Sequence, residues 1–397
     1  MKILWVNSNF MHPTNKGGSI RTLEMLRHLH ARHEIHYAAI EQPQYPEGPD
    51  RVGEYSTRSY SVRETIPERR SAAFAWQVLR GLASPLPLNM QRFESPRLGR
   101  LLGDVMRRER FDRVICDHLT PASYLPGLSD AFLFQHNVET VIWRRHVQHA
   151  RDPLRRAYFG MQARKMFNFE RRVCRTVRHI VAVSAIDAQN MRDYFGVSNI
   201  SEIPTGVNIE FHAPPPPPDV KPFADLAFVG SMDWLANIDG VTWFVDEVLP
   251  IIRRKRPDCS LAIIGRSPPP AIQQMAERDP RIFVTGTVPD IRPYLWGSAV
   301  SIVPLRIGGG TRLKIYESMA SRVPVVSTRV GAEGLELDPR DTGRLGDTAD
   351  EFAAACVELL DAPAERTRIA TNAWQMVNDR FSWFQVARRF EEILERH

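Results

Sequence analysis

At 397 residues the chain is long for one domain and comfortable for two, and 43% hydrophobic with 25% charged residues is the composition of a globular protein with buried cores. The net charge of +6 is uneven: residues 1–205 carry 30 Lys+Arg against 20 Asp+Glu, and the remainder 22 against 26. No apolar run approaches the ~18–20 residues that span a bilayer. Met1-Lys2-Ile3-Leu4-Trp5-Val6-Asn7-Ser8-Asn9 turns polar too soon for a signal peptide, and Cys116, Cys174, Cys259 and Cys356 form no C-x-x-C pair, so reduced thiols in a cytoplasmic protein are expected.

Lys2 to Val6 reads as a short apolar strand, followed by a polar loop through Gly17-Gly18. Ile20, Leu23, Leu26 and Leu29 then recur at helical spacing, and Glu34 to Ile40 returns as a strand. This opens a βαβ unit and predicts a parallel sheet. Further strands are expected at Arg113–Asp117, Ala131–Gln135 and His179–Ser184, with Ser184 placed to cap the following helix. Between them, Ala72 to Leu88 holds Phe74, Trp76, Val78, Leu79 and Leu82 among basic flanks, the makings of either a membrane contact or a covered helix. Arginines crowd residues 144–178, which suggests an anionic partner or a solvated helix face.

Ala213 precedes five prolines, Pro214 to Pro218, expected to be a stiff connector. A second alternation follows: Asp225–Val229, Thr242–Ile252, Ser260–Ile264, Pro270–Arg278, Ile282–Val284, Tyr294–Gly297 and Val300–Pro304. Two successive α/β halves predict two Rossmann-like domains, over 1–205 (with a last helix, 378–397) and 206–377.

The most informative stretch comes next. Gly308-Gly309-Gly310-Thr311-Arg312-Leu313-Lys314 follows the apolar run ending at Leu305 and leads through Glu317 to Pro324-Val325-Val326. Strand, glycine loop and helix start near Thr311 make a place where backbone N–H groups can approach an anion. Arg312 suits bidentate phosphate contacts, Lys314 is a point charge, and Glu317 is an acceptor of the kind a ribose hydroxyl needs. Together they predict a nucleoside-diphosphate pocket.

This segment resembles the donor-binding loop of glycosyltransferase family 4. Phe228-Val229-Gly230-Ser231, Ala262-Ile263-Ile264-Gly265-Arg266, Val284-Thr285-Gly286-Thr287-Val288 and Ser327-Thr328-Arg329-Val330-Gly331 extend the likeness over residues ~225–335. The resemblance implies a GT-B fold: two Rossmann-like domains facing a central cleft, with the C-terminal helix crossing back onto the first. It implies a retaining transferase that moves a hexose from a UDP- or GDP-sugar to a polysaccharide, lipid-linked or small-molecule acceptor, with the domains closing on the donor. Gly309, Gly310, Thr311, Arg312, Leu313 and Lys314 would take the diphosphate, Glu317 the ribose, and Gly230, Arg266 and Val288 the nucleotide. Gly17 and Gly18 would face the diphosphate from the first domain. His136 would serve the sugar, with Arg312 and Lys314 assisting departure of the leaving group, and Glu139 would be an acceptor-side carboxylate or a helix cap. The partner the resemblance implies is a glycan or lipid-linked acceptor; the basic first half and the Ala72–Leu88 segment add peripheral contact with an anionic membrane as an expectation, and no nucleic acid is expected.

Two segments depart from the family pattern. Gly309 stands where the family carries the first of two glutamates eight positions apart, and Ser231, Met232, Asp233, Trp234 and Asn237 occupy the loop that in many members holds an Arg and a Lys. The chain has no Asp-x-Asp motif, so transfer without a metal or other cofactor is expected. It also has no G-x-S-x-G elbow, and no G-x-G-x-x-G after the first strand. A two-domain sugar-nucleotide epimerase and a catalytically weak nucleotide-binding scaffold are the alternative readings.

Overall fold

Thirteen strands, all paired in parallel, build two sheets in the computed structural model, which describes residues 1–14, 17–68, 71–149, 152–215, 222–307 and 313–397. The chain divides into two units, Met1–Pro204 with Val386–His397, and Thr205–Gln385.

In the first unit the strands are β1 (Lys2–Asn9), β2 (Glu34–Glu41), β3 (Arg58–Arg63), β4 (Arg113–Asp117), β5 (Ala131–Gln135), β6 (His179–Ala182) and β7 (Ile200–Glu202), in spatial order β3-β2-β1-β4-β5-β6-β7. The central strands are buried on both faces because crossover helices cover them, which is why their sequences are continuous apolar runs. The edge strand β3, Arg58-Ser59-Tyr60-Ser61-Val62-Arg63, escapes that signal: its charged and polar residues alternate with Tyr60 and Val62, as suits an exposed edge. Ser184 caps the helix Ala185–Phe195 by accepting from the Asp187 N–H, as the sequence predicts.

The second unit holds β8 (Ala224–Val229), β9 (Leu261–Ile264), β10 (Ile282–Gly286), β11 (Ser298–Val303), β12 (Val325–Ser327) and β13 (Arg344–Leu345), in order β10-β9-β8-β11-β12-β13. Helix Leu235–Trp243 starts seven residues before the expected Thr242, and the chain stays helical through a wide turn, Phe244–Val248, to Lys255. Pro216 to Pro218 of the expected connector lie outside the described residues. The chain has entered the second unit by Thr205, and helix Ile209–His212 is fastened there by Arg292 Nη1 on the Phe211 carbonyl and Trp296 Nε1 on that of His212.

The helix Trp383–Arg396 belongs to both units in sequence. Its start lies beside Val207, whose backbone bridges Ser382. Its remainder buries Val386, Ala387, Phe390 and Leu394, a one-sided apolar stripe, in the first unit. Phe390 lies 5.6 Å from Trp5 and 5.2 Å from Phe134, ring centre to ring centre, and Arg32 and His33 each approach Glu391 at 2.7 Å. All four cysteines are buried and free.

Candidate functional site

Both sheets reverse strand order about their first strand, between β1 and β4 and between β8 and β11. In open α/β sheets the crevice beyond the strand ends at such a reversal is where ligands bind. Among the described residues, Gly18 and His136 lie beside the reversal in the first unit, and Gly230 and Lys314 beside that of the second, with Arg266 and Val288 after the neighbouring strands β9 and β10.

In the first unit, Asp117 ends β4 with no solvent exposure. Its Oδ2 accepts from Trp5 Nε1 at 3.0 Å, Asn7 Nδ2 at 2.7 Å and Thr22 Oγ1 at 2.9 Å, and its Oδ1 lies 2.9 Å from His136 Nε2. Burial opposes ionisation, yet His136, His118 and Trp5 hold the Asp117 carboxyl well below the usual carboxylate range. Burial and the neighbouring His118 push the His136 imidazole down to about 3, against the pull of Asp117. An ionised Asp117 beside a neutral His136 places the imidazole proton on Nε2. His136 Nδ1 is then an acceptor, and Arg21 Nη1 stands 3.5 Å from it. Burial brings the Arg21 guanidinium down to about 10, which leaves it charged at neutral pH.

His118 stacks on His136 with ring centres 3.8 Å apart, and its backbone is left-handed at φ 67°. Gly17 opens helix Gly17–His30, and a Cβ on Gly18 would meet the His118 ring at 3.5 Å and His136 Nδ1 at 3.7 Å. Asp117, His118 and His136 form the group of metal-ligand type found among the described residues. Four N–H and O–H donors already occupy the two oxygens of Asp117, and the Arg21 cation faces His136 Nδ1, so this set favours hydrogen bonding over an ion.

Glu139 begins helix Glu139–His149, but it does not cap that helix with its own side chain. Buried Glu170 does: it accepts from the Glu139 and Thr140 N–H groups at 3.0 and 2.7 Å, from Thr140 Oγ1 at 2.6 Å and from Gln135 Nε2 at 3.3 Å. Burial raises Glu170 to about 7 and Glu139 to about 6.

In the second unit, helix Leu313–Ala320 buries Ile315, Tyr316, Met319 and Ala320, while Ser318 Oγ lies 2.8 Å from Ser301 Oγ of β11. Lys314 and Glu317, one turn apart and half-buried, flank that face. Lys314 Nζ donates to Asn237 Oδ1 at 2.9 Å and stands 4.4 Å from the centre of the Phe228 ring. A Cβ at Gly230 would lie 2.8 Å from that ammonium, so glycine there makes room for it. Burial raises the Glu317 carboxyl and Lys314 opposes the shift. Arg266 donates to Ser231 Oγ at 2.8 Å and pairs with Asp233 at 3.4 Å, which ties it to the loop after β8. Val288 packs beside Ala227, Ala262 and Ile264. Gly309, Gly310, Thr311 and Arg312 lie outside the described residues. Leu313 is the first described residue of the helix.

Sequence reasoning missed Asp117, His118, Arg21 and Glu170. A signal was present for the first two: Cys116-Asp117-His118 closes an apolar strand as Gln135-His136 does, one strand along the same sheet.

This architecture is the GT-B class. The solved structures it resembles include a sucrose-phosphate synthase from Thermosynechococcus elongatus (TM-score 0.66, 16% identity, 100% of this chain and 98% of the other). Another is Anabaena HepE in complex with UDP-glucose (TM-score 0.62, 14% identity, 100% of both). At these identities the likeness is one of fold. Family models described as "Glycosyltransferase Family 4" and "Glycosyl transferases group 1" match residues 15–211 and 224–362. The chain belongs to the family 4 glycosyltransferases. Among curated relatives, the MMP alpha-(1->4)-mannosyltransferase of Mycolicibacterium hassiacum is 26% identical over 62% of this chain and 59% of its own. The chain thus spans less than two thirds of that relative's length, and less still of the other curated relatives it matches.

Proposed function

We propose that this protein transfers a hexosyl unit from a nucleoside-diphosphate sugar, UDP- or GDP-linked, to a hydroxyl of a glycan or lipid-linked acceptor, with retention and without a divalent metal. The observation that carries the reading is Lys314, bonded to Asn237 beside Gly230 at the strand-order reversal of the second unit, with Glu317 one turn along the same helix. Lys314 supplies fixed positive charge for the diphosphate, whose negative charge grows as the glycosidic bond breaks, and Glu317 supplies the acceptor for ribose hydroxyls. His136, neutral and proton-bearing on Nε2, serves the sugar side together with the Arg21 guanidinium that faces its Nδ1. Retention is assigned to front-face attack, the departing phosphate taking the acceptor's proton, as the family resemblance implies. The donors of the two curated and solved relatives above, a mannosyltransferase and a protein complexed with UDP-glucose, support a hexose.

Calorimetry with UDP, GDP, dTDP and ADP, with and without EDTA, on wild type and Glu317→Ala tests it. Selective binding of one diphosphate, insensitive to EDTA and weakened by Glu317→Ala, is the expected result. Binding of none, or binding restored only by a divalent ion, overturns the pocket or its metal independence respectively.

A further inference from the structure

Helix Ala72–Ala83 is apolar on both faces. Inward, Phe74 lies 5.4 Å from the Arg92 guanidinium, and Gln77 Nε2 donates to the Gln91 carbonyl at 3.2 Å. Outward, Trp76 is 68% exposed, Leu79 59% and Leu82 48%, with Ala72 and Ala75 exposed beside them. A cluster of large apolar side chains on a helix face is the sort of surface that a soluble protein keeps for a partner.

A second exposed apolar residue lies on the long helix to which this one is bonded. Leu154, 82% exposed, opens helix Pro153–Thr176 and shares a helical stripe with Tyr158 and Lys165. The Lys165 ammonium donates to the carbonyls of Gly81 and Leu82 at 2.9 and 3.1 Å, and Gln162 Oε1 accepts from the Leu88 N–H at 2.9 Å. The Lys165 bonds fix the apolar helix, and the Gln162 bond the short helix Leu88–Arg92, against the long one.

Charge identifies the occupant. Residues 71–93 contain no Asp or Glu, and in 152–169 the one acid is Asp152, engaged as the cap of its own helix. The cations on the same two helices, Arg80 next to Leu79, Arg155 and Arg156 next to Leu154, and Arg164, are all exposed. Exposed tryptophan and leucine rimmed by cations match a surface that is anionic outside and hydrocarbon within. The helix also packs on Leu88–Arg92, which packs on the short helix Thr120–Ser123, just past His118. The patch therefore lies toward the same end of the first sheet as the Asp117–His136 cluster.

We infer that the outward face of helix Ala72–Ala83, with Leu154 and its neighbouring arginines, docks on an anionic lipid bilayer and so holds the His136 end of the first unit toward acceptors carried in that surface. The docking itself does not depend on the transfer reaction assigned above.

Flotation of the full chain with phosphatidylcholine vesicles, with and without phosphatidylglycerol, tests it at low and high salt. The wild type is expected to float with the anionic vesicles and to be released by salt. Trp76→Ser/Leu79→Ser and Arg155→Glu/Arg156→Glu are each expected to weaken vesicle binding about tenfold or more, with unchanged Tm and unchanged binding of UDP or GDP. Failure of the wild type to float with anionic vesicles, equal flotation of the variants, or equal binding to neutral vesicles would overturn it. So would a dimer in sedimentation velocity that Trp76→Ser/Leu79→Ser abolishes, which would assign the face to a second copy. Because nucleotide binding is read separately, loss of docking and loss of the donor pocket stay distinguishable.

Discussion

His136 Nε2 lies 2.9 Å from Asp117 Oδ1, and that one bond decides which nitrogen of the imidazole can accept. Asn at 117 keeps the shape but removes the negative charge that holds the proton on Nε2. Asp117→Asn is expected to lower transferase kcat by about 10–100-fold, the equivalent of losing a hydrogen bond of roughly 1.5–3 kcal/mol to a charged group. Nitrogen-15 spectra of the imidazole report the tautomer directly. An unchanged tautomer with unchanged kcat would remove Asp117 from any positioning role.

Lys314 and Glu317 separate by their ligands. Lys314→Met should raise the Kd for the nucleoside diphosphate at least about tenfold while the bare nucleoside binds as before, since one charge-assisted contact of ~1.5–3 kcal/mol is lost. Glu317→Gln, which keeps an acceptor oxygen, should cost less than Glu317→Ala for both ligands. Calorimetry with paired nucleoside and diphosphate reads both comparisons.

Glu170 makes stability depend on pH. Its folded-state value is raised from 4.5 to about 7, so between those values the folded protein holds a proton that the unfolded chain has lost. This contribution is complete below about pH 4.5 and is lost as pH rises through 7, a decline of at most about 3 kcal/mol. Denaturant melts of wild type and Glu170→Gln from pH 6 to 8, above the value of about 6 that Glu139 reaches, should show a steeper decline in the first than in the second.

Two glycines predict opposite signs. A Cβ on Gly265 would lie 1.8 Å from the Gly230 carbonyl oxygen, which no side-chain movement relieves, whereas one on Gly160, inside helix Pro153–Thr176, meets nothing within 4 Å. Gly265→Ala should destabilise by about 3 kcal/mol or more, and Gly160→Ala should stabilise by roughly 0.5–1 kcal/mol. Urea melts of the two variants decide it.

Much of this was legible in the chain. Apolar runs announced β1, β4, β5 and β6 because central parallel strands are covered on both faces, and the order strand, glycine loop, Lys314, Glu317 marked the second-unit cluster. Strand β3 was not legible, because an exposed edge has no continuous apolar run. Asp117 was hidden for a different reason: its donors Trp5, Asn7 and Thr22 stand 112, 110 and 95 positions away, and sequence spacing carries no trace of such a convergence. Glu170 is similar, a cap supplied to helix Glu139–His149 from 31 positions downstream. Local propensity covers only caps that lie next to their helix.

The helix Trp383–Arg396 has a consequence for synthesis. The first unit stops at Pro204 and resumes at Val386, so about 180 residues emerge before Phe390 can close over Trp5 and Phe134. At roughly 5–20 residues per second that interval is on the order of 10–40 s. During it the nascent N-terminal half presents an aromatic face that its own chain has yet to cover, making it a client for chaperones. Truncation before Val386 would harm the half of the molecule made first.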